Sequence, residues 1–404
     1  MEYRFEKFRR LCAFIAGFVF FISGILKVLD PVGAGLVMKE YFEFLHIGFI
    51  SPASKILGTG FALLETLVGA ALITGVGRKV TSITAMALQA FFTLLTLALV
   101  IFNPTMDCGC FGEAIHLTHL ETFIKNIVLC VLLAGASFPL NKGVEPLKKK
   151  YVSFGLVAIS VVLFCIHSLL YIPIVDFTEY RPTAQLQAAD SYTEGDEDQY
   201  DAVFIYEKDG QEQTFDLEHL PDTTWTFVRT ETAQPEDFED NSINLSFYDN
   251  EGEYMDHIAA KGDVMVISVY DSEWKAERWQ ETAEFISRAS EVGFRPIVLV
   301  ASTSENMNAS LEGLDETARE LIESRLYHSD YKTLLTLNRS NGGATWFSDG
   351  YLIRKWGRRA LPDQERMKAD IDSDVTESLI EKSTVGNIAF QGFLLYVFAV
   401  MLLL

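Results

Sequence analysis

The second half of this chain has no cysteine, since Cys12, Cys108, Cys110, Cys130 and Cys165 all precede residue 172. Residues 173–404 therefore cannot be stapled by disulfides and cannot do thiol chemistry of their own. Positive charge is also scarce there, with 19 Lys and Arg against 45 Asp and Glu, compared with 14 against 10 in residues 1–172. At a formal net charge of −22 the chain would repel nucleic-acid phosphates, so no nucleic acid is expected among its partners. Internal repeats and helices broken within the apolar runs are missing too, which leaves small-molecule transport with little support.

Long apolar runs fill the first 172 residues. Leu11–Leu29 is apolar apart from Ser23 and Lys27, is long enough to span, and is followed by no small-residue cleavage site. It predicts an uncleaved first helix rather than a signal peptide. Gly58–Gly75, Val80–Phe102, Leu120–Leu140 and Tyr151–Ile172 predict four further spans, and Gly386–Leu404 a sixth. The mixed Asp30–Leu57 segment predicts a loop with an interfacial helix around Val37–Phe44. Basic residues gather at Arg4–Arg10, Arg78–Lys79 and Lys142–Lys150, which are alternate junctions. The positive-inside bias then puts the N-terminus in the cytoplasm, with the cysteine loop and residues 173–385 across the membrane. In a Gram-negative cell this is an inner-membrane protein in a lipid bilayer with a periplasmic domain.

Residues 173–199 read as an acidic linker containing Glu194-Gly-Asp-Glu-Asp198. Beyond it, Lys208-Asp209-Gly210 marks a hairpin and Asp249–Gly252 a second turn. Val264–Val269 and Pro296–Val300 read as buried strands, Glu273–Val292 and Leu314–Leu326 as helices. Ala344–Phe347 and Tyr351–Lys355 form a hairpin, followed by a helix at Gln364–Ile371. This β-α-β-α-β-β-α order predicts an α/β thioredoxin-like extracytoplasmic domain over residues 200–385. The expected fold is thus an α-helical membrane bundle with that domain inserted. Its parts are a four-helix region 1–140, a fifth transmembrane helix in 141–172, the linker, the domain, and a C-terminal transmembrane helix, 386–404.

The chemistry centres on Cys108-Gly-Cys110, in a polar break between the third and fourth spans. Gly109 lets the backbone fold tightly enough for the thiols to meet, and the small ring this closes is strained and easily reduced. Such a pair suits electron or disulfide transfer; two unreactive thiols in a tight turn is the equal alternative. Ionisable groups within spans are expensive, which singles out Glu65 midway along the second helix, with Lys27 and Lys125 in the half of the bilayer facing the loop. Together with Asn126 they predict a polar pocket beneath the thiols, where a cation would lower a thiol pKa and a carboxylate could relay protons. The competing reading is that the lysines snorkel and Glu65 packs between helices. The candidate catalytic set is Cys108, Cys110, Glu65, Lys27 and Lys125.

His116 and His119 match no common zinc spacing, so no metal is expected. Cys165 is a candidate resolving thiol. The place where thioredoxins carry Cys-x-x-Cys reads Val269-Tyr-Asp-Ser-Glu-Trp-Lys-Ala-Glu-Arg278, without a thiol. The loop that normally supplies a cis-proline reads Ser340-Asn-Gly-Gly-Ala344.

Ser23-Gly24 and Lys27, Glu65-Thr-Leu-Val-Gly69 and Cys108-Gly-Cys-Phe-Gly112 together resemble the DoxX/MauE family of small four-helix membrane proteins. The likeness covers about residues 8–140. The whole chain resembles a longer subgroup with a fifth helix, a thioredoxin-like domain and a last helix, on strings such as Tyr180-Arg-Pro182 and Ser329-Asp-Tyr-Lys332. The resemblance implies quinone-linked or disulfide redox chemistry, because relatives are tied to quinone-coupled sulfur oxidation and to maturation of a disulfide-rich periplasmic amine dehydrogenase. The chain departs from the subgroup in its cysteine-free domain and in Gly342, where members tend to have proline.

Two functions stay open. One is a membrane oxidoreductase component working through Cys108 and Cys110. The other is a non-enzymatic scaffold or assembly factor whose degenerate domain binds a periplasmic partner. No cofactor is fixed; a quinone is the open candidate. A membrane-impermeant maleimide is expected to label Cys108 and Cys110 in intact cells after mild reduction. Labelling only after lysis would invert the topology.

Overall fold

A computed structural model describes residues 2–138, 147–186, 202–208, 211–215, 226–232, 242–373 and 375–403. Among the described residues, six helices are long and apolar enough to cross a bilayer, so this is an integral membrane protein with a helical bundle. The chain opens with α1 (Glu2–Leu29), α2 (Pro31–Phe44), α3 (Ser54–Thr74) and α4 (Arg78–Phe102). A short strand β1 (Cys110–Glu113) precedes α5 (His119–Ser137) and α6 (Lys148–Leu170). The expected interfacial helix is longer than its apolar pattern suggested. Asp30 accepts a hydrogen bond from the Gly33 amide and Pro31 fills the first turn, so α2 starts at once after α1. At the other end of the loop, Thr118 and Glu121 form a reciprocal capping box that starts α5.

The bundle is tightest between α1 and α3. A Cβ on Gly24 would overlap Thr66, and one on Gly69 would overlap the Phe21 backbone. In lipid, where apolar surface alone drives no helix association, such close backbone approach supplies the packing.

The extramembrane part begins with β2 (Gln185–Leu186), β3 (Ala202–Lys208), β4 (Gln211–Phe215), β5 (Thr226–Thr232) and β6 (Ser242–Ile243). It continues through α7 (Asp256–Ala259), β7 (Asp263–Val269), α8 (Ala276–Val292), β8 (Arg295–Val300), α9 (Ser304–Ser310) and α10 (Glu316–Glu323). It closes with β9 (Leu326–His328), α11 (Tyr331–Leu337), β10 (Gly343–Ser348), β11 (Tyr351–Trp356) and α12 (Gln364–Asp372), and α13 (Val375–Leu403) returns to the bundle. The main sheet runs β6-β2-β11-β10-β7-β8-β9. Strands β7, β8 and β9 are parallel, while β10 runs antiparallel to both β7 and β11. Alternation along β7 divides the core. Met265, Ile267 and Val269 face the layer of Trp279, Ile286 and Met367, and Val264 and Val266 face that of Leu245, Phe247 and Leu334. Strands β4, β3 and β5 form a separate antiparallel sheet. Lys208 lies opposite Gln211, as a two-residue hairpin requires, with Asp209 and Gly210 themselves outside the described residues.

Several expectations need correction. Leu326 lies in β9, because the helical pattern stops at Glu323 and a short parallel strand follows. Helix α11 had no periodic signal; Asp330 caps it by accepting from the Lys332 and Thr333 amides. Helix α13 begins ahead of the membrane, at Val375, and its membrane-crossing part, Thr384–Leu403, agrees with the expected last span.

The expected linker is also partly ordered. Tyr180, Ala184 and Leu186 are buried, β2 pairs with β11, and the Asp176 carboxylate lies 2.6 Å from the Lys355 ammonium. Glu194–Asp198 falls outside the described residues. Burial pushes the Lys355 ammonium below its ordinary value, with Asp176 opposing that shift. Losing the carboxylate would strand a buried cation. Asp176→Ala should therefore lower the stability of the extramembrane domain by about 3–5 kcal/mol, and Lys355→Met in the same chain should recover much of it. Thermal unfolding of the full chain in detergent, followed by tryptophan fluorescence, would show both effects.

Candidate functional site

The loop between α4 and α5 is clamped onto the bundle by its own carbonyls. The Tyr41 hydroxyl of α2 donates to the Cys108 carbonyl at 2.8 Å, and the Ser23 hydroxyl of α1 donates to the Cys110 carbonyl at 2.5 Å. Gly109 between them has φ +58° and packs on Val37, where a Cβ would collide. Below Ser23, the Lys27 ammonium donates to the Ser23 hydroxyl at 3.2 Å and to Glu65 Oε2 at 2.7 Å. The pair is well buried, with side-chain exposures of 16% and 7%, and it bridges α1 and α3 about one turn from their close contact at Gly24. A hydrogen-bonded path thus runs from the Cys110 backbone through Ser23 and Lys27 to Glu65.

These groups line one cavity of about 120 Å³ in the bundle. Roughly 10–15 Å³ measured in this way holds one water, so the space can take a ring-sized group. Phe20, Phe61, Phe92 and Leu95 give it apolar walls, and both cysteines, Lys27, Glu65, Gln89 and Asn126 give it polar points. The two amides satisfy each other's elements. Gln89 donates to the Asn126 carbonyl at 3.1 Å, and the Asn126 amide donates to Thr96 Oγ1 at 3.1 Å. Polar groups in a bilayer need such partners.

The structure therefore brings Cys108, Cys110, Lys27 and Glu65 to one cavity. Lys125 also lines it, but its ammonium sits over the Phe111 ring, 4.8 Å from the centroid. Lys125 acts on Cys108 in the expected direction, but burial outweighs it. Cys108 is only 5% exposed, and burial pushes its thiol up, an effect that Thr122 and Lys125 oppose without reversing. Cys110 is half-buried and the more accessible of the two.

Cys165 does not join them. It packs with Phe21 and Phe390, whereas Cys108 packs with Tyr41 and Leu99. His116 lies 3.4 Å from Asp107, and His119 bonds Asn103 and the Met106 carbonyl, so the histidines brace the loop rather than meet the thiols.

The extramembrane domain closes over the same loop. Arg339, 4% exposed at its side chain, reaches Asp30 at 2.8 Å and Glu113 at 2.9 Å, and Lys332 reaches Glu40 at 2.9 Å. Burial alone would depress the Arg339 guanidinium, but Asp30 and Glu113 reverse that and leave it shifted upward. In the segment after β7, Trp274 packs on Trp279 with ring centroids 4.6 Å apart and Arg278 stacks over Trp274 at 3.6 Å. Sequence reasoning missed Tyr41, Gln89 and Arg339. Gln89 left a signal as an amide inside an apolar run; the other two left none.

The longest family match covers the helical part of the chain. Residues 6–139 match the family model of methylamine utilisation protein MauE. That span holds the first five helices and every group at the cavity, so the chain has a MauE-like membrane region. A second model, described as a domain of unknown function, matches residues 200–234. Protein TlpB of Flavobacterium psychrophilum is 28% identical over 137 residues, which are 32% of this chain and 36% of that protein. No solved structure matches.

The unequal burial of the two thiols predicts unequal reactivity. In chains carrying Cys108→Ser or Cys110→Ser, iodoacetamide should modify the remaining Cys110 well ahead of the remaining Cys108 at neutral pH. Because the Cys108 thiol is shifted upward, its rate should climb only above the pH range of an ordinary thiol. Peptide mass spectrometry across a pH series would report both rates.

Proposed function

We propose that this chain is a membrane redox component in which Cys108 and Cys110 cycle between dithiol and disulfide. The observation that carries the reading is the cavity shared by both thiols with the Lys27–Glu65 pair. Closing the disulfide forms one S–S bond and releases two electrons and two protons. A quinone that accepts both becomes a quinol, and the apolar, aromatic-walled space inside the bundle suits such a ring. A partner disulfide could accept the same electrons by exchange. Glu65, paired with Lys27 and linked through Ser23 to the loop, is placed to pass a proton out of the cavity.

The MauE-like match agrees in direction with the resemblance drawn from the sequence. Alternate basic junctions put the thiols on the periplasmic face of an inner membrane. In the extramembrane domain, the order β8-β7-β10-β11 with an antiparallel hairpin at one side supports a thioredoxin-like reading. With no thiol in it, this domain docks a client rather than reducing one.

A non-enzymatic scaffold is the second reading, favoured by the burial of Cys108. Trapping thiols with a maleimide reagent in membranes, with and without added quinone, separates the two. The redox reading expects the Cys108/Cys110 pair to oxidise when quinone is present. Glu65→Gln should retain expression and fold yet slow that oxidation by at least about tenfold. Unchanged kinetics in a well-expressed Glu65→Gln chain would remove the proton-relay role, and a pair inert to quinone and to partner disulfides would leave the scaffold.

A further inference from the structure

Within residues 108–113, three side chains hold the segment, two of them from the bundle. Tyr41 holds the Cys108 carbonyl and Ser23 holds the Cys110 carbonyl. The third is Arg339, from the loop between α11 and β10 of the extramembrane domain, which bonds Glu113 at the far end of β1. The same guanidinium bonds Asp30, whose other oxygen caps α2, the helix that carries Tyr41. One buried side chain thus ties together both sides of the loop's support. Its planar fork allows this, since Nε meets Asp30 while Nη2 meets Glu113; a lysine has a single nitrogen for both.

The loop is also a partition. Gly109 and Gly112 line the bundle cavity on one side and, on the other, a cleft at the junction with the extramembrane domain. Both cysteines line the bundle cavity, and neither is among the residues lining the cleft. A molecule arriving through the cleft meets glycine backbone, with Glu40, Glu113 and Lys332 around it.

We infer that Arg339 is a positioning residue through which the extramembrane domain holds the thiol loop shut against the bundle, so that displacing Arg339 from Glu113 opens Cys108 to the cleft. The inference rests on the reading of Cys108 and Cys110 as working thiols. It gives the thiol-free domain a role in that chemistry: a client that draws Arg339 away admits itself to the dithiol.

The test uses the full chain in lipid nanodiscs and follows Cys108 alkylation by a charged, membrane-impermeant maleimide, read at that residue by peptide mass spectrometry. Arg339→Gln and Glu113→Gln should each raise the rate about fivefold or more. The double variant should exceed neither single one, because both break one link. Arg339→Lys should fall between wild type and Arg339→Gln. Lys39→Gln removes the contact of its ammonium with the Tyr331 ring, another link between bundle and domain whose residues do not line the cleft, and should leave the rate unchanged.

Unchanged rates in variants that melt like the parent would overturn the inference. So would an equal rise in Lys39→Gln, which would mean general undocking, or additive effects in the double variant. Should Arg339→Gln fail to fold, Glu113→Gln carries the test, since it leaves Arg339 paired with Asp30. The two readings fail separately. Alkylation that responds as expected in a chain whose thiols never cycle would remove the redox reading and leave the latch in place.

Discussion

Two opposite charges inside the bilayer, Lys27 and Glu65, are the constraint that the rest of the bundle answers to. Either one alone would cost several kcal/mol at that depth, so they must meet, and they sit on different helices. Meeting at 2.7 Å requires α1 and α3 to approach until their backbones touch, which Gly24 and Gly69 permit. The same contact lifts Ser23 under the cysteine loop, where it takes the Cys110 carbonyl. Packing and site are here one arrangement: enlarging either glycine would part the helices, strand both charges and release the loop together.

How much of this was legible follows from what each residue must do. The spans were readable because lipid demands unbroken apolar runs, and Glu65 and Lys27 because charge in such a run is anomalous. Hydropathy could not say that burial would outweigh Lys125 at Cys108, nor that the Lys125 ammonium would also meet the Phe111 ring. Tyr41 is an ordinary aromatic residue in an interfacial helix. Arg339 is an ordinary cation in a polar loop until docking buries it. The linker was misjudged in the same way, since its acidic composition concealed Tyr180, Ala184 and Leu186, which the sheet covers. Short elements such as β9 carry too few residues for any period to show.

The chain also divides labour between its halves. The thiols stay with the helices, one of them buried deeply enough for its proton to be held more firmly than usual. The extramembrane domain has no cysteine, and after β7 it presents Trp274 and Arg278, a stacked and unreactive pair. Reactivity is therefore governed by access and by burial, both of which a second domain can change without contributing any nucleophile itself.

The last helix has a mechanical consequence. Lys150 holds the Met401 carbonyl, Ser153 holds that of Val400, and Phe164 stacks on Phe393 at 4.5 Å, so α13 lies antiparallel along α6. The extramembrane domain therefore leaves and re-enters the membrane through neighbouring posts. A rigid body hung from two adjacent posts keeps one easy motion, a swing about the line that joins them. Arg339 and Lys332 contact Asp30, Glu113 and Glu40, none of which belongs to α6 or α13. The domain is thus tied down at a second place, apart from the two helices that carry it.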